Sequence, residues 1–162
     1  MPLVIRPGRP DEAELLSDLA VRSKALWGYS DELLASFRSE LTLIPDDVAA
    51  RRTLVAERDG VVLGFVTVEG DAPVGELGML FVAPEATGAG IGSVLFRRAL
   101  ATARALGFRT LTIESDPNAE PFYRAMGAVG VGDVESGSVP GRTLPLMEID
   151  TAPRAAPTEP AT

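Results

Sequence analysis

Three glycines alternate with small residues between positions 88 and 92, directly after an apolar stretch and at the start of a helical pattern. Gly88, Gly90 and Gly92 leave this backbone without β-carbons, so main-chain N–H groups can approach a bound group closely. The N-terminus of the following helix adds free amides and the positive end of the helix dipole. This arrangement predicts a loop that binds an anion, and a pyrophosphate is the anion that we expect.

Two common phosphate-binding patterns fit this loop poorly. The nucleoside-triphosphate pattern G-x-x-x-x-G-K-[ST] needs a lysine after its last glycine, but Ser93 follows Gly92, and Lys24 is the only lysine in the chain. The dinucleotide pattern G-x-G-x-x-G needs a glycine at position 93 and usually follows the first strand of its fold. A helix-capping turn that binds no ligand is the structural alternative.

The loop is similar to the acetyl-CoA loop of the GCN5-related N-acetyltransferase (GNAT) family, in which [Q/R]-x-x-G-x-[G/A] follows a strand. Residues 90–92 match the end of that pattern, and Thr87 stands where the family prefers Gln or Arg. Residues 118–128 resemble a second family signature, N-A-x-x-F-Y-x-x-x-G-F, with Ala128 in place of the final Phe. With both motifs in the family's order, the chain is identified as a member of this family.

The resemblance covers about residues 3–149 and implies an α/β fold with a mixed, largely antiparallel sheet. About seven strands are expected, with a splayed parallel pair at the centre and about four flanking helices. We expect residues 1–150 to form a single acetyltransferase domain, in which residues 11–52 are a helical region on the substrate side. Residues 151–162 are rich in Ala, Pro and Thr and are predicted to be a disordered tail.

The resemblance also implies roles for individual residues. Tyr123 matches the family's catalytic tyrosine, whose phenol protonates the departing thiolate, and packing beside Phe122 is the alternative. Asn118 matches a residue that contacts the pantetheine end of the coenzyme, and a helix N-cap is its alternative. The end of the strand before the loop would pair with pantetheine amides like an added strand. The predicted cofactor-binding residues are Leu80, Phe81, Val82, Thr87, Gly88, Ala89, Gly90, Ile91, Gly92, Ser93 and Asn118.

Acetyl transfer to an amine needs a base, because a free alkylamine has a pKa of about 10 and must lose a proton. Glu76, on the strand before the loop, is the candidate, at a position where some family members carry a catalytic glutamate. The two-residue period of a strand predicts that Glu76 shares one face of the sheet with Leu80 and Val82. Glu114 and Asp116 on the neighbouring strand, or a chain of waters, are the alternatives.

The composition limits the catalytic mechanisms that this chain can use. The 162 residues include no cysteine and no histidine, which excludes a thiolate nucleophile, a disulfide framework and a Ser-His-Asp triad. Direct transfer in a ternary complex needs none of these groups. No metal site is expected, because zinc would have to be bound by carboxylates alone.

The formal net charge of −8 disfavours a nucleic-acid partner and mildly favours a cationic substrate. The alternative is that the negative surface charge serves only to keep the protein soluble. No stretch is apolar enough for a membrane span or a signal peptide, which predicts a cytoplasmic protein. Trp27 and Tyr29, beside a glycine break between two helices, are candidate substrate-binding residues, with core packing as the alternative. Dimers are common in the family, so a homodimer is also considered.

Together these patterns predict an N-acetyltransferase that moves an acetyl group from acetyl-CoA to a primary amine of a small molecule or a peptide. The alternative is a catalytically silent module that binds acyl-CoA. It is considered because the sequence departs from the family pattern at Thr87 and Ala128. A nucleotide-binding protein is the third hypothesis.

Overall fold

The structure is a computed structural model that describes residues 2–152. The strands in this part of the chain are Val4–Pro7 (β1), Leu54–Arg58 (β2), Val61–Asp71 (β3), Val74–Val82 (β4), Thr110–Glu114 (β5), Val129–Glu135 (β6) and Thr143–Asp150 (β7). They form one seven-stranded sheet in the order β1-β2-β3-β4-β5-β7-β6. All neighbouring strands are antiparallel except β4 and β5, which are parallel. The predicted fold class is therefore confirmed.

Five helices flank the sheet in this part of the chain, one more than expected. The unexpected helix is Pro45–Ala50 (α3). It begins with Pro45, whose missing N–H group loses no hydrogen bond, because the first N–H groups of a helix have no partner within the helix. The Asp47 carboxylate accepts the Ile44 N–H at 3.0 Å and closes the first turn. The helices are Ala13–Ala25 (α1), Asp31–Phe37 (α2), Pro45–Ala50 (α3), Ile91–Ala105 (α4) and Glu120–Ala125 (α5). Among residues 2–152, none of them has the length and apolar character needed to cross a bilayer.

Two hydrophobic cores lie on opposite faces of the sheet. On one face, Leu95 and Phe96 of α4 pack with Val66 of β3. On the other face, Leu16 of α1 packs with Phe65 of β3. Adjacent β3 residues therefore enter different cores, as the two-residue period of a strand requires.

A bulge in β4 interrupts this alternation. The pairs on either side of it are Val66 with Leu80 and Val68 with Leu77, so β4 contains one extra residue. Leu80 and Val82 pack into the α4 core, and so does Leu77. Glu76, the neighbour of Leu77, consequently faces the α1–α3 side. The prediction that Glu76 shares a face with Leu80 and Val82 is wrong. The extra residue of the bulge lies between them and switches the face of the sheet on which the following side chains lie.

The parallel strands β4 and β5 separate before β4 ends. Their ladder joins residues 74–76 to residues 110–112, whereas β4 continues to Val82. Beyond Glu76, β4 is paired with β3 alone. The result is an open wedge in the middle of the sheet, with a long unpaired backbone edge on β4 and a short one at residues 113–114 of β5.

The end of the described chain is bound to the sheet. The Thr151 hydroxyl donates to the Phe108 carbonyl at 2.7 Å, and the Thr151 N–H donates to the Arg109 carbonyl at 3.0 Å. Of the predicted tail at residues 151–162, residues 153–162 lie outside the described residues.

Candidate active site

A cleft of about 950 Å³ opens at the wedge between β4 and β5. Tyr123 and the start of α4 line it from one face of the sheet, and Arg51 and Met79 line it from the other. Most of the predicted site residues contribute to its wall, namely Trp27, Glu76, Leu80, Phe81, Val82, Thr87, Gly88, Gly90, Ile91, Gly92, Ser93 and Tyr123. Ala89, Asn118 and Tyr29 do not line it.

The loop before α4 presents backbone N–H groups that have no acceptor within residues 2–152. They belong to Gly88, Gly90, Ile91, Gly92 and Ser93. Gly88 and Gly90 have φ values of +87° and +77°, a left-handed conformation that glycine adopts without strain. These amides surround the N-terminus of a 15-residue helix, so they can bind an anion in the cleft.

Tyr123 lies between two phenylalanine rings, with ring centroids 6.0 Å from Phe96 and 5.3 Å from Phe122. It is 7% exposed, and its hydroxyl makes no hydrogen bond within the described part of the chain. Burial, with a smaller effect of the Asp116 charge, raises the pKa of Tyr123 well above its usual value. The phenol is therefore protonated at neutral pH and can donate a hydrogen bond to a ligand.

Glu76 lies half-buried in the cleft, opposite Glu69 of β3 in the strand register. Burial raises the pKa of Glu76 above its usual value, and the charges of Glu114 and Glu69 raise it further against the opposing effect of Arg51. A raised pKa makes this carboxylate a stronger base. Within residues 2–152, the three glutamates form no ion pair.

Asp116, the other half-buried alternative for the base, is already engaged by cations. It accepts the Tyr29 hydroxyl at 2.8 Å and pairs with Lys24 Nζ at 3.0 Å, and Arg142 lies 3.7 Å away. Although burial raises the pKa of Asp116, the Asn118 N–H and the Lys24 ammonium hold it below its usual value. A carboxylate bound in this way is a poor proton acceptor, so the geometry favours Glu76.

Tyr29 and Asn118 form a wall behind the cleft. The Asn118 side-chain amide donates to the Tyr29 oxygen at 3.1 Å and to Asp116 at 3.0 Å. Because α5 begins at Glu120 without a side-chain cap, Asn118 is not its N-cap. The Tyr29 ring packs edge-on against Phe37 with centroids 5.0 Å apart. We call Lys24, Tyr29, Asp116, Asn118 and Arg142 the Tyr29 cluster.

Five charged residues of the cleft were not predicted, namely Lys24, Glu40, Arg51, Glu69 and Arg142. A signal for Glu69 exists, because the turn at residues 72–73 sets the β3–β4 register, and counting back from it puts Glu69 opposite Glu76. Lys24 and Arg142 come together only through the folded chain, so no local pattern predicts their contact with Asp116.

Comparison with known proteins identifies the family of the chain. Residues 16–128 match the model of the acetyltransferase (GNAT) family. A curated relative, the peptidyl-lysine N-acetyltransferase YjaB of Salmonella typhimurium, is 30% identical over 152 residues. The match covers 92% of this chain and 98% of that relative.

Solved structures share the fold. The GCN5-related N-acetyltransferase of Rhodopseudomonas palustris has a TM-score of 0.76 and 27% identity, with 93% of this chain and 96% of that chain covered. The PaiA N-acetyltransferase of Thermoplasma acidophilum, solved in complex with coenzyme A, has a TM-score of 0.77 and 22% identity, with coverage of 93% and 99%. The predictions of an acyltransferase and of acetyl-CoA as its donor are confirmed, and the chain belongs to the acetyltransferase (GNAT) family.

Proposed function

We propose that this enzyme acetylates a primary amine by direct transfer from acetyl-CoA within a ternary complex, and that a lysine side chain of a peptide is its class of acceptor. The observation that carries the proposal is the cleft itself, which runs from the free amides before α4 to the carboxylates on the opposite side of the wedge. The acceptor class is supported by the name of the YjaB relative, a peptidyl-lysine N-acetyltransferase.

The residues present fit the donor. Free amides between residues 88 and 93, three of them on glycines that have no β-carbon, suit its pyrophosphate. Leu80, Phe81 and Val82 have one unpaired backbone edge, which suits the pantetheine amides as an added strand would. Thr87 supplies no positive charge, so the amides themselves would provide most of the attraction for the phosphates.

The side chains divide the proton transfers between them. Acetyl-CoA, when bound, supplies the thioester whose C–S bond breaks as the new C–N bond forms. Glu76 accepts the first proton from the ammonium group and releases it to solvent. Tyr123 gives its proton to the departing sulfur and is reprotonated by the second proton that the nitrogen loses. One proton per turnover is therefore released in total, and the leaving thiol ends protonated.

A kinetic experiment tests this function. We would incubate the protein with acetyl-CoA and Nα-acetyl-lysine amide, and follow thiol release together with the acetylated product. Direct transfer predicts intersecting initial-rate lines when both substrates are varied, whereas parallel lines would point to a covalent acetyl-enzyme. Binding of CoA without thiol release across a panel of amines would instead support the silent module. Thermal stabilisation by ATP or NAD, but not by CoA, would favour a nucleotide-binding protein.

The proposal also includes the domain organisation, cellular location and partners of the enzyme. Residues 1–150 form one domain that acts in the cytoplasm without a nucleic-acid partner, and a homodimer is the assembly to test. The net charge of −8 supports the absence of nucleic-acid binding. Light scattering coupled to gel filtration would measure the assembly.

A further inference from the structure

We propose that Glu69 binds the ammonium group of the acceptor and so makes the enzyme selective for acceptors that arrive as cations. This inference rests on the proposed acetyltransferase function and adds to it the residue that recognises the acceptor and the charge that it recognises. Glu69 belongs to neither of the two sequence motifs, and it lines the cleft from β3.

The carboxylate of Glu69 is held in place by buried neighbours. The Met79 N–H donates to Thr67 Oγ1 at 2.9 Å, and the Thr67 hydroxyl donates in turn to Glu69 Oε2 at 2.8 Å. Thr67 is fully buried, and the bond from Met79 directs its proton towards Glu69. One carboxylate oxygen is thereby bound, and the other is left without a partner among the described residues.

Gly78 provides the space that this carboxylate occupies. A β-carbon at position 78 would overlap Glu69 Oε2 and lie close to the Thr67 hydroxyl. The backbone at Gly78 does not have a left-handed φ, so its conformation alone does not require glycine. The Glu69 carboxylate occupies the space that a β-carbon at position 78 would need.

The surroundings of Glu69 carry an excess of negative charge. Glu69 and Glu76 are direct cross-strand neighbours, and Glu114 adds a third carboxylate to the same cleft. Like charges placed opposite each other are unfavourable unless a cation lies between them. Arg51, the guanidinium in this part of the cleft, lies 3.8 Å from Asp47 and 3.8 Å from Met79 Sδ, and among the described residues it forms no ion pair with any of the three glutamates.

A second observation marks this cleft as a ligand site. The Tyr123 hydroxyl lines the same cleft on a side chain that is 7% exposed, and it has no hydrogen-bond partner within residues 2–152. A cation bound between Glu69 and Glu76 would therefore lie in a cleft that also holds an unused donor. Glu69 is fixed by Thr67, whereas the Glu76 carboxylate has no hydrogen-bond partner in the described part of the chain, so we assign binding of the cation to Glu69 and proton transfer to Glu76.

Calorimetry on the protein saturated with CoA tests the inference without any reaction. The titrant is pentylammonium, with pentanol as its neutral counterpart. We expect Glu69→Gln to weaken pentylammonium binding about 10- to 100-fold, the loss typical of a charged hydrogen bond. CoA affinity should not change. Glu14→Gln, which removes an exposed charge on α1, should leave pentylammonium binding unchanged.

A second variant, Gly78→Ala, keeps the Glu69 carboxylate but displaces it. This variant should also weaken pentylammonium binding. Thermal unfolding would show whether its fold is intact. The inference is overturned if Glu69→Gln binds pentylammonium within twofold of the unmodified protein, if pentanol binds as tightly, or if the unmodified protein does not bind the cation. Failure of the proposed function looks different, since the cation would bind while Nα-acetyl-lysine amide would not be acetylated.

Discussion

At the scale of single residues, one physical cause gives two side chains different roles. Burial raises the pKa of both Tyr123 and Glu76. For the phenol, the raised pKa keeps a proton available for donation at neutral pH. For the carboxylate, it strengthens a base that is still ionised when the pH exceeds its pKa. Asp116 shows the opposite outcome, because its cationic partners hold its pKa down.

Tyr123→Phe should lower kcat by about 10²- to 10⁴-fold, the usual contribution of a general acid. The ring stays between Phe96 and Phe122, and the lost hydroxyl has no hydrogen-bond partner in the described structure, so stability and CoA affinity should be retained. Steady-state kinetics and thermal unfolding would measure both effects. Tyr29→Phe is the matched control. It removes a hydroxyl that is hydrogen-bonded to Asp116 and Arg142, so it should lower stability where Tyr123→Phe does not. An unchanged kcat in Tyr123→Phe removes the role.

The base predicts a pH dependence with a definite sign. Activity requires the Glu76 carboxylate, so kcat at saturating amine should fall as the pH decreases through the raised pKa of Glu76. The groups that face it are Glu114 of β5, Glu69 of β3 and Arg51 after α3. Glu114→Gln removes a like charge and should shift this acidic limb to lower pH. A limb that stays in place, or one that shifts to higher pH, would contradict the assignment.

At the scale of elements, the two ends of the cleft differ in how far local sequence predicts them. The glycines before α4 carry their conformation in a short motif, and the structure has free amides where that motif predicts them. The β4 bulge follows instead from pairing with β3 and from the contact of Thr67 with Met79. A strict two-residue period therefore put Glu76 on the wrong face, and the six residues of α3 are too few to show a helical period.

Gly92→Ala separates ligand binding from helix stability. Gly92 lies in the first turn of α4, and a β-carbon there would meet Phe122 at an ordinary distance of 3.5 Å. Replacing this glycine should therefore stabilise the protein by up to about 1 kcal/mol. The pattern [Q/R]-x-x-G-x-[G/A] accepts alanine at this position, and the added methyl group would make only ordinary contacts, so CoA affinity should be retained. Calorimetry and urea unfolding would measure the two effects, and a variant less stable than the unmodified protein would contradict this explanation.

At the scale of the whole molecule, the Tyr29 cluster is assembled from distant parts of the chain. It joins α1, the segment between α1 and α2, the segment between β5 and α5, and the segment before β7. Family resemblance predicts the sheet and the donor loop, because each has a local motif or a characteristic order of elements. The cluster has neither, so it becomes visible only in the folded structure.

Global stability should depend on the ion pairs that connect β1 to β2 and to the segment before α1. Arg6 pairs with Glu12 at 2.8 Å and with Glu57 at 3.0 Å. The hydrogen bond from Arg6, against the opposing effect of burial, lowers the pKa of Glu12 from 4.5 to about 2. A pKa that is lower in the folded state contributes stability above the unfolded value, and this contribution is lost as the pH falls towards 2.

Glu12→Gln should therefore lower the free energy of unfolding by about 1–3 kcal/mol at pH 7. The difference from the unmodified protein should shrink as the pH falls below 4.5. Urea unfolding at a series of pH values would follow this difference. A difference that stays constant from pH 7 to pH 3 would show that Glu12 stabilises the fold by packing and not by its charge.

In the function proposed above, the amides before α4 bind the pyrophosphate of the coenzyme. The most direct measurement is a titration of the ¹⁵N-labelled protein with CoA, followed through backbone amide chemical shifts. We predict that the largest changes occur at Gly88, Gly90, Ile91, Gly92 and Ser93, and that changes also appear along residues 80–82. Saturable binding whose largest shifts lie elsewhere, for example in the smaller pocket between Arg9 and Arg22, would contradict the account.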